Sequence, residues 1–481
     1  MSCTRFTAKV LLIGILQTAF FGQALPQHRV PIQPLRKLER NIRAELDFLA
    51  GDAMQGRGSG TNYERVAAEY IGSQFRQFGL EPAGDKDYTG QKGFVQQVTL
   101  ESLKLTEPPT LTASTGTDTY TWKFGEDFTT SSSLAAKVEG DLQILEPDGM
   151  PTKGSFVVFK LDSASNSQKR QEAIRKAINA RAAGVVLLES DANKTTREGG
   201  SVNFPGLPSQ IEGEKIEQTP FVSISFSREA FAALTSMKAG THIEFNGPTQ
   251  VSGTTWNAVG VLTGSDRSRS TQAIMLSAHL DHLGVDPAAS GDKIYNGADD
   301  DASGCVAVLE LARALASGQR PRRTIYFVCF GSEERGGYGA RYFISHSPVP
   351  LNQIVADVTF EMLGRPDAKV KPNTLWLTGF ERSNLGPQLA AHRASLVADP
   401  HPEQHFFERS DNYTLALRGV VAHTVSSFGL HADYHQPSDE LSKIDFGFMT
   451  RSINSMIAPI RWLANSNFRP KWLPGQAPTR E

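Results

Sequence analysis

Three consecutive aspartates, Asp299 to Asp301, stand among small residues in NGADDDASG, and two adjacent glutamates, Glu333 and Glu334, end the apolar run TIYFVCFGSEE. A carboxylate taken out of water without a partner is costly and ordinarily stays protonated. Several together need cations, yet Arg335 is the only basic residue adjoining this group. A divalent metal meets the need better. His279 in AHLDHLG and His435 in YHQPSDE flank the same region, and imidazole mixed with carboxylate is a donor set that zinc accepts. A pair of zinc ions set against three ligating carboxylates and a bridging hydroxide is charge-neutral. Asp281, just past His279, is placed to accept the imidazole's other N–H and fix its tautomer.

Such side chains need rigid elements behind them. From Asn257 onward, apolar runs alternate with helical patterns: QAIMLSAH, ASGCVAVLELARALASG, TIYFVCFGSEE, YGARYFISHS and IVADVTFEML. Continuous apolar strands separated by helices predict an α/β fold, with a mostly parallel mixed sheet covered by helices on both faces. Ligands in such sheets bind beyond the carboxyl ends of the strands. The polar residues fall there: His279 and Asp281 after IMLSA, Glu333 and Glu334 after IYFVCFGS, Glu361 after VADVTF. Upstream, LERNIRAELDFLAGDAM and YERVAAEYIGSQFRQFGL repeat apolar residues three and four apart, and the second helix is expected to stop at Gly79.

Between these parts the character shifts to short β-rich runs such as SFVVFKL, GVVLLES and TPFVSISF. The expected organisation is a signal peptide over 1–24, an N-terminal helical part of the main domain over 35–106, a β-rich insert over 107–246 and a catalytic domain over 247–468. The signal peptide is read from Arg5 and Lys9 ahead of the apolar stretch Val10 to Phe21, which is too short to span a bilayer. A secreted or periplasmic protein, free of the membrane after cleavage, follows. A formal net charge of -2 over 481 residues argues against nucleic acid as a partner. Once the leader is removed, Cys305 and Cys329 remain. Both read as small core residues, with a disulfide between them possible and no cysteine nucleophile expected.

In this order, AHLDHLG, NGADDDASG, FGSEERGG, TFEMLGR and YHQPSDE resemble the co-catalytic zinc aminopeptidases of peptidase family M28, and the resemblance covers nearly the whole mature chain. The β-rich insert resembles the protease-associated domain found in part of that family. The family's bridging aspartate stands three residues before the serine of a Ser-Gly pair, here Ser303-Gly304, which selects Asp300. The resemblance implies two zinc ions, with Asp300 shared, His279 and Glu361 completing one set, and Glu334 and His435 completing the other. It implies that Glu333 is the general base and Asp281 the partner of the histidine. Glu361 departs from the family, where aspartate is more usual. His282, Asp299 and Asp301 are expected to be structural or to support the ligands from behind, and His431 to be a loop residue near the substrate.

The implied activity is release of the N-terminal residue of peptides by metal-activated water, with peptides bearing a free N-terminus as partners. A glutaminyl-peptide cyclase with one zinc, a carboxypeptidase of the same fold and a non-catalytic ectodomain are the alternatives. A carboxypeptidase for acidic ends would need paired arginines, whereas Arg335, Arg341, Arg365 and Arg409 are scattered singly. Phe330, Phe360 and Phe428 are candidates both for an apolar side-chain pocket and for the core.

Overall fold

The computed structural model describes residues 37–479 except 87–88, 105–107, 117, 134–136, 163–166, 191–193, 195–209, 213–220, 248, 270 and 290. The expected signal peptide, 1–24, lies outside the described residues. Among those described, no helix is long and apolar enough to cross a membrane.

Four parallel strands form the middle of a ten-stranded mixed sheet: Ile325–Phe330, Ala273–His279, Ile354–Glu361 and Ala422–Ser426, in that spatial order. Thr249–Leu262 joins antiparallel on one side and Leu375–Leu377 on the other. Side chains alternate between two cores, as strand geometry demands. Ile274, Leu276 and Ala278 pack with Ile325, Phe327 and Cys329 on one face, while Met275, Val328 and Phe330 serve the other.

Helices close both faces. On the first lie Lys37–Leu49, Asn62–Gln77, Gly304–Ala316 and Phe446–Asn465; on the second, Tyr338–Ser345 and Asp411–Ala416. Lys37–Leu49 buries Ile42, Leu46 and Leu49, one stripe at helical spacing. The Thr61 side chain caps Asn62–Gln77 by accepting from the Glu64 N–H, and Gly79 follows at φ 82. Cys305 and Cys329 are both free and buried.

A second, eight-stranded sheet is built from strands between Thr110 and Asn246. It is reached through the antiparallel ladder of Val95–Lys104 on Thr249–Leu262, which runs in register from Val95↔Ala258 to Lys104↔Thr249. Gln210–Ile211 leaves that region to pair with Leu100 and Glu101 on the outer edge of the main sheet.

His423, inside Ala422–Ser426, gives this fold an acid-sensitive point. Its Nδ1–H donates to the Thr378 carbonyl at 2.7 Å, and its Nε2 accepts from Ser383 Oγ at 2.7 Å. Burial is the main force lowering its pKa from 6.5 to about 4; Arg382 adds to it and the Thr378 bond opposes it. Between those values the unfolded chain binds the extra proton, so stability rises with pH. The contribution is complete above about 6.5, fades toward 4 and amounts to on the order of 3 kcal/mol. Urea unfolding at pH 7 and pH 4.5 should show a larger acid-induced loss in the wild type than in His423→Gln. Equal losses would refute this.

Candidate metal centre

All four central parallel strands deliver their carboxyl ends to one edge. Ala273–His279 ends on His279 itself, Ile325–Phe330 leads through Gly331 and Ser332 to Glu333 and Glu334, and Ile354–Glu361 ends on Glu361. Asp300 arrives from the turn Ala298–Ser303 that opens the helix Gly304–Ala316. His435 comes from the loop beyond Ala422–Ser426.

Asp300 lies between two donor groups. Its Oδ1 is 3.1 Å from His279 Nε2, and its Oδ2 is 3.2 Å from His435 Nε2. His279, Asp300 and Glu361 offer one atom each within 4.8 Å of one another, and so do His282, Asp300 and Glu334. His435 Nε2 also stands 3.2 Å from Glu334 Oε2. Two donor groups thus share Asp300. The mixture of imidazole and carboxylate donors fits zinc in both.

The electrostatics fit as well. Burial opposes ionisation of Asp300, but hydrogen bonds from His279 and His435 outweigh it and hold its carboxyl well below the usual range. Burial likewise opposes charge on His279, yet Asp281 and Asp300 keep it well above its ordinary value. For Glu333, burial pushes the carboxyl well up; His279 opposes this, while Asp411, Glu361 and Glu334 add to it. Burial raises Glu361 too. These carboxylates repel one another, which a cation placed among them would reverse.

The flanking aspartates have separate duties. Asp301 accepts from the backbone N–H of His279 at 3.2 Å, Gly304 at 2.9 Å and Met362 at 3.1 Å, tying three segments of the centre together. Asp299 accepts from the Gly364 N–H at 2.7 Å and lies 3.0 Å from His431 Nε2. Asp439 in turn accepts from the N–H groups of Asp299 and Asp300, each at 3.0 Å. Ser332, Met362 and His435 adopt φ of 50, 54 and 55, left-handed values that side chains rarely take. Each is a candidate donor or the chain neighbour of a candidate site residue, and functional sites are where such strain concentrates.

Asp281 does more than accompany His279. The His279 Nδ1 is 3.2 Å from the Asp281 main-chain oxygen and 3.7 Å from its carboxylate, whose two oxygens instead receive the N–H groups of Glu333 at 3.0 Å and Glu334 at 3.4 Å. His282, read from sequence as structural or as a support of the ligands, has Nδ1 2.8 Å from Glu334 Oε1. Asp411 is 2 % exposed and neither of its carboxylate oxygens has a hydrogen-bond partner; burial pushes it well up toward the neutral acid.

The carboxylates open onto a cavity that is also lined by the aromatic rings of Trp376, Phe406, Phe428 and Tyr434, with Met362. Of the three phenylalanines considered from sequence, Phe428 lines it, while Phe330 and Phe360 belong to the cores. Arg409 also lines the cavity, its guanidinium 5.0 Å from the Phe406 ring centre. Arg365 is engaged elsewhere, with Asp433 at 2.6 Å.

Residues 257–459 match the model for peptidase family M28. A vacuolar membrane protease of Candida dubliniensis is 38% identical over 85 residues, 18% of this chain and 8% of that protein. A probable lipoprotein aminopeptidase, LpqL, of Mycobacterium tuberculosis is 24% identical over 221 residues, 46% of this chain and 38% of that one. The chain therefore spans well under half the length of these curated relatives. Among solved structures, an aminopeptidase from Aneurinibacillus sp. strain AM-1 shares the fold, with a TM-score of 0.52 at 18% identity, covering 92% of this chain and 98% of that one.

Proposed function

We propose, taking as premise that this chain belongs to peptidase family M28 through residues 257–459, that it is a secreted di-zinc aminopeptidase. The observation that carries the reading is the sharing of Asp300 between two donor groups. His279, Asp300 and Glu361 would hold one ion; Asp300, Glu334 and His435 would hold the other. In that arrangement His282 Nδ1–H orients Glu334 from outside the ligand set. Bound zinc supplies Lewis acidity, lowering the pKa of water from ~16 toward ~7 and stabilising a tetrahedral oxyanion.

The chain's own residues do the rest. Glu333 lines the cavity yet belongs to neither donor group, so its carboxylate is free to take a proton from the attacking water and pass it to the leaving amine. Glu333 and Glu361 offer acceptors for a substrate ammonium. The wall of Trp376, Phe406 and Phe428 receives an apolar side chain. Among the described residues Arg409 is the single arginine lining the cavity, short of the pair that would grip a terminal carboxylate.

A leucyl-peptide compared with its N-acetylated form tests the direction. Hydrogen bonds to a charged group contribute about 1.5–3 kcal/mol, so acetylation should lower kcat/KM by about 10- to 100-fold. Equal cleavage, or faster release from the C-terminus, would overturn the reading. Mass spectrometry of the protein recovered outside the cytoplasm, lacking about 24 residues, would support secretion; an intact Met1 would count against it.

A further inference from the structure

The two glutamates of the centre hang on a turn whose backbone is pinned from a distance. Three successive N–H groups follow the strand Ile325–Phe330, and all three end on carboxylates. Ser332 N–H meets Glu64 Oε1 at 2.8 Å, Glu333 N–H meets Asp281 Oδ1 at 3.0 Å and Glu334 N–H meets Asp281 Oδ2 at 3.4 Å. Asp281 and Glu64 are each 0% exposed. A buried carboxylate keeps its orientation only through its donors.

For Asp281 the outside donor is Ser59, whose hydroxyl donates to Oδ2 at 2.5 Å. Glu64 is held by Thr255 Oγ1–H at 2.6 Å and Gly60 N–H at 2.7 Å. Ser59, Gly60 and Glu64 belong to the stretch Arg57 to Glu64 and Thr255 to the strand Thr249–Leu262, all four residues lying outside the matched segment 257–459. That stretch is fixed beside the metal loops. Ser59 N–H donates to the His282 carbonyl at 3.3 Å, and His282 N–H to the Arg57 carbonyl at 3.2 Å. The buried Arg57 guanidinium gives N–H bonds to the carbonyls of Leu280 at 2.9 Å, Asn296 at 2.7 Å and Gly297 at 3.0 Å. A Cβ at Gly58 would stand 3.0 Å from Gly284 Cα, so glycine permits the close approach.

We propose that Ser59 is a positioning residue for the reaction, acting through Asp281 on the turn Ser332–Glu334 while Glu64 holds the same turn from its other end. The inference rests on the reading of Glu333 as base and Glu334 as ligand. Without the Ser59 hydroxyl, Asp281 loses the one side-chain hydroxyl that donates to it among the described residues, and the two N–H groups it holds lose a fixed acceptor. Glu333 and Glu334 then shift relative to Asp300 and His435. Misplacement, not weaker substrate binding, is the consequence.

The test compares wild type, Ser59→Ala, Ser59→Thr and Ser59→Gly. Three readouts are taken: kcat and KM on a leucyl-nitroanilide, the visible absorption spectrum during cobalt(II) titration of the metal-free protein, and the thermal melt. Removing an outer partner of a metal site typically costs 10–100-fold, so Ser59→Ala should lose about tenfold or more in kcat with KM nearly unchanged. Its cobalt spectrum should differ from wild type and its cobalt uptake should weaken, and Ser59→Thr, which keeps the hydroxyl, should recover most of both. Should Ser59→Ala fail to fold, Ser59→Gly removes the hydroxyl without adding bulk and carries the same expectation. A variant lacking the hydroxyl with wild-type kcat and spectrum, a rise in KM alone, or Ser59→Thr as impaired as Ser59→Ala would overturn the proposal. A wild-type protein that neither takes up cobalt nor hydrolyses the substrate would instead overturn the reading of the centre, and this inference with it.

Discussion

Glu333→Gln should lose about 10²- to 10⁴-fold in kcat, the usual consequence of removing a general base, while keeping its fold and metal content. Glutamine matches glutamate in shape, and the main-chain anchor of this residue, its N–H on Asp281 Oδ1 at 3.0 Å, does not depend on the side chain. Burial already disfavours charge on Glu333, with like charges from Asp411, Glu361 and Glu334 beside it. In the metal-free protein neutralising it relieves that repulsion, so the metal-free variant should melt at or above the metal-free wild type, and metal analysis of the loaded variant should be unchanged. Were the variant to lose an ion, Glu333 and Glu334 would have to exchange roles.

Asp300→Asn should abolish hydrolysis by a different route, through loss of both ions. Its two oxygens face different histidines, Oδ1 toward His279 Nε2 at 3.1 Å and Oδ2 toward His435 Nε2 at 3.2 Å. Asparagine replaces one of those acceptors with an N–H₂ donor and removes the charge shared by the two donor groups. Glu361→Gln provides the contrast, since Glu361 belongs to one group alone. Metal content after exhaustive dialysis should be close to zero for Asp300→Asn and close to one for Glu361→Gln. Two ions retained by Asp300→Asn would remove the basis of the proposed function. The metal-free protein should also melt earlier, because an ion at 100 times its Kd stabilises the folded state by about 2.7 kcal/mol.

The sheet was legible because its central strands are continuous apolar runs interrupted abruptly by charge, as at IYFVCFGSEE. Such a run fixes both where a strand is buried and where it ends. His279, Glu334 and Glu361 reach one edge for that reason, and Asp300 and His435 join them there from the turn Ala298–Ser303 and the loop beyond Ala422–Ser426. The supports behind them were not legible. Ser59 and Asp281 are separated by 222 residues, and Glu64 and Ser332 by 268. No local period records such pairings; Glu64 reads as one more polar residue in an amphipathic helix, although it is fully buried. For His282 the sequence left a structural and a ligand-supporting role both open, and its 2.8 Å approach to Glu334 is a contact no local pattern records. Phe330 and Phe360 point into the cores because strand alternation, not nearness to a motif, decides which face a side chain meets.

The antiparallel ladder that ends at Lys104↔Thr249 has a topological meaning. The chain leaves the main sheet at one rung and returns at that same rung, so everything between is an excursion from the tip of a β-hairpin. A short turn joining the two strands would satisfy the main sheet's connectivity equally well. The entropy of closing so long an excursion grows only with the logarithm of its length, and prior folding of the eight-stranded sheet shortens the effective tether. The main sheet can thus tolerate large changes of size in this region without altering its own register. One rung limits that freedom: Gln210–Ile211 comes back to cover Leu100 and Glu101, and a hairpin trimmed of it would present a bare strand edge to other chains.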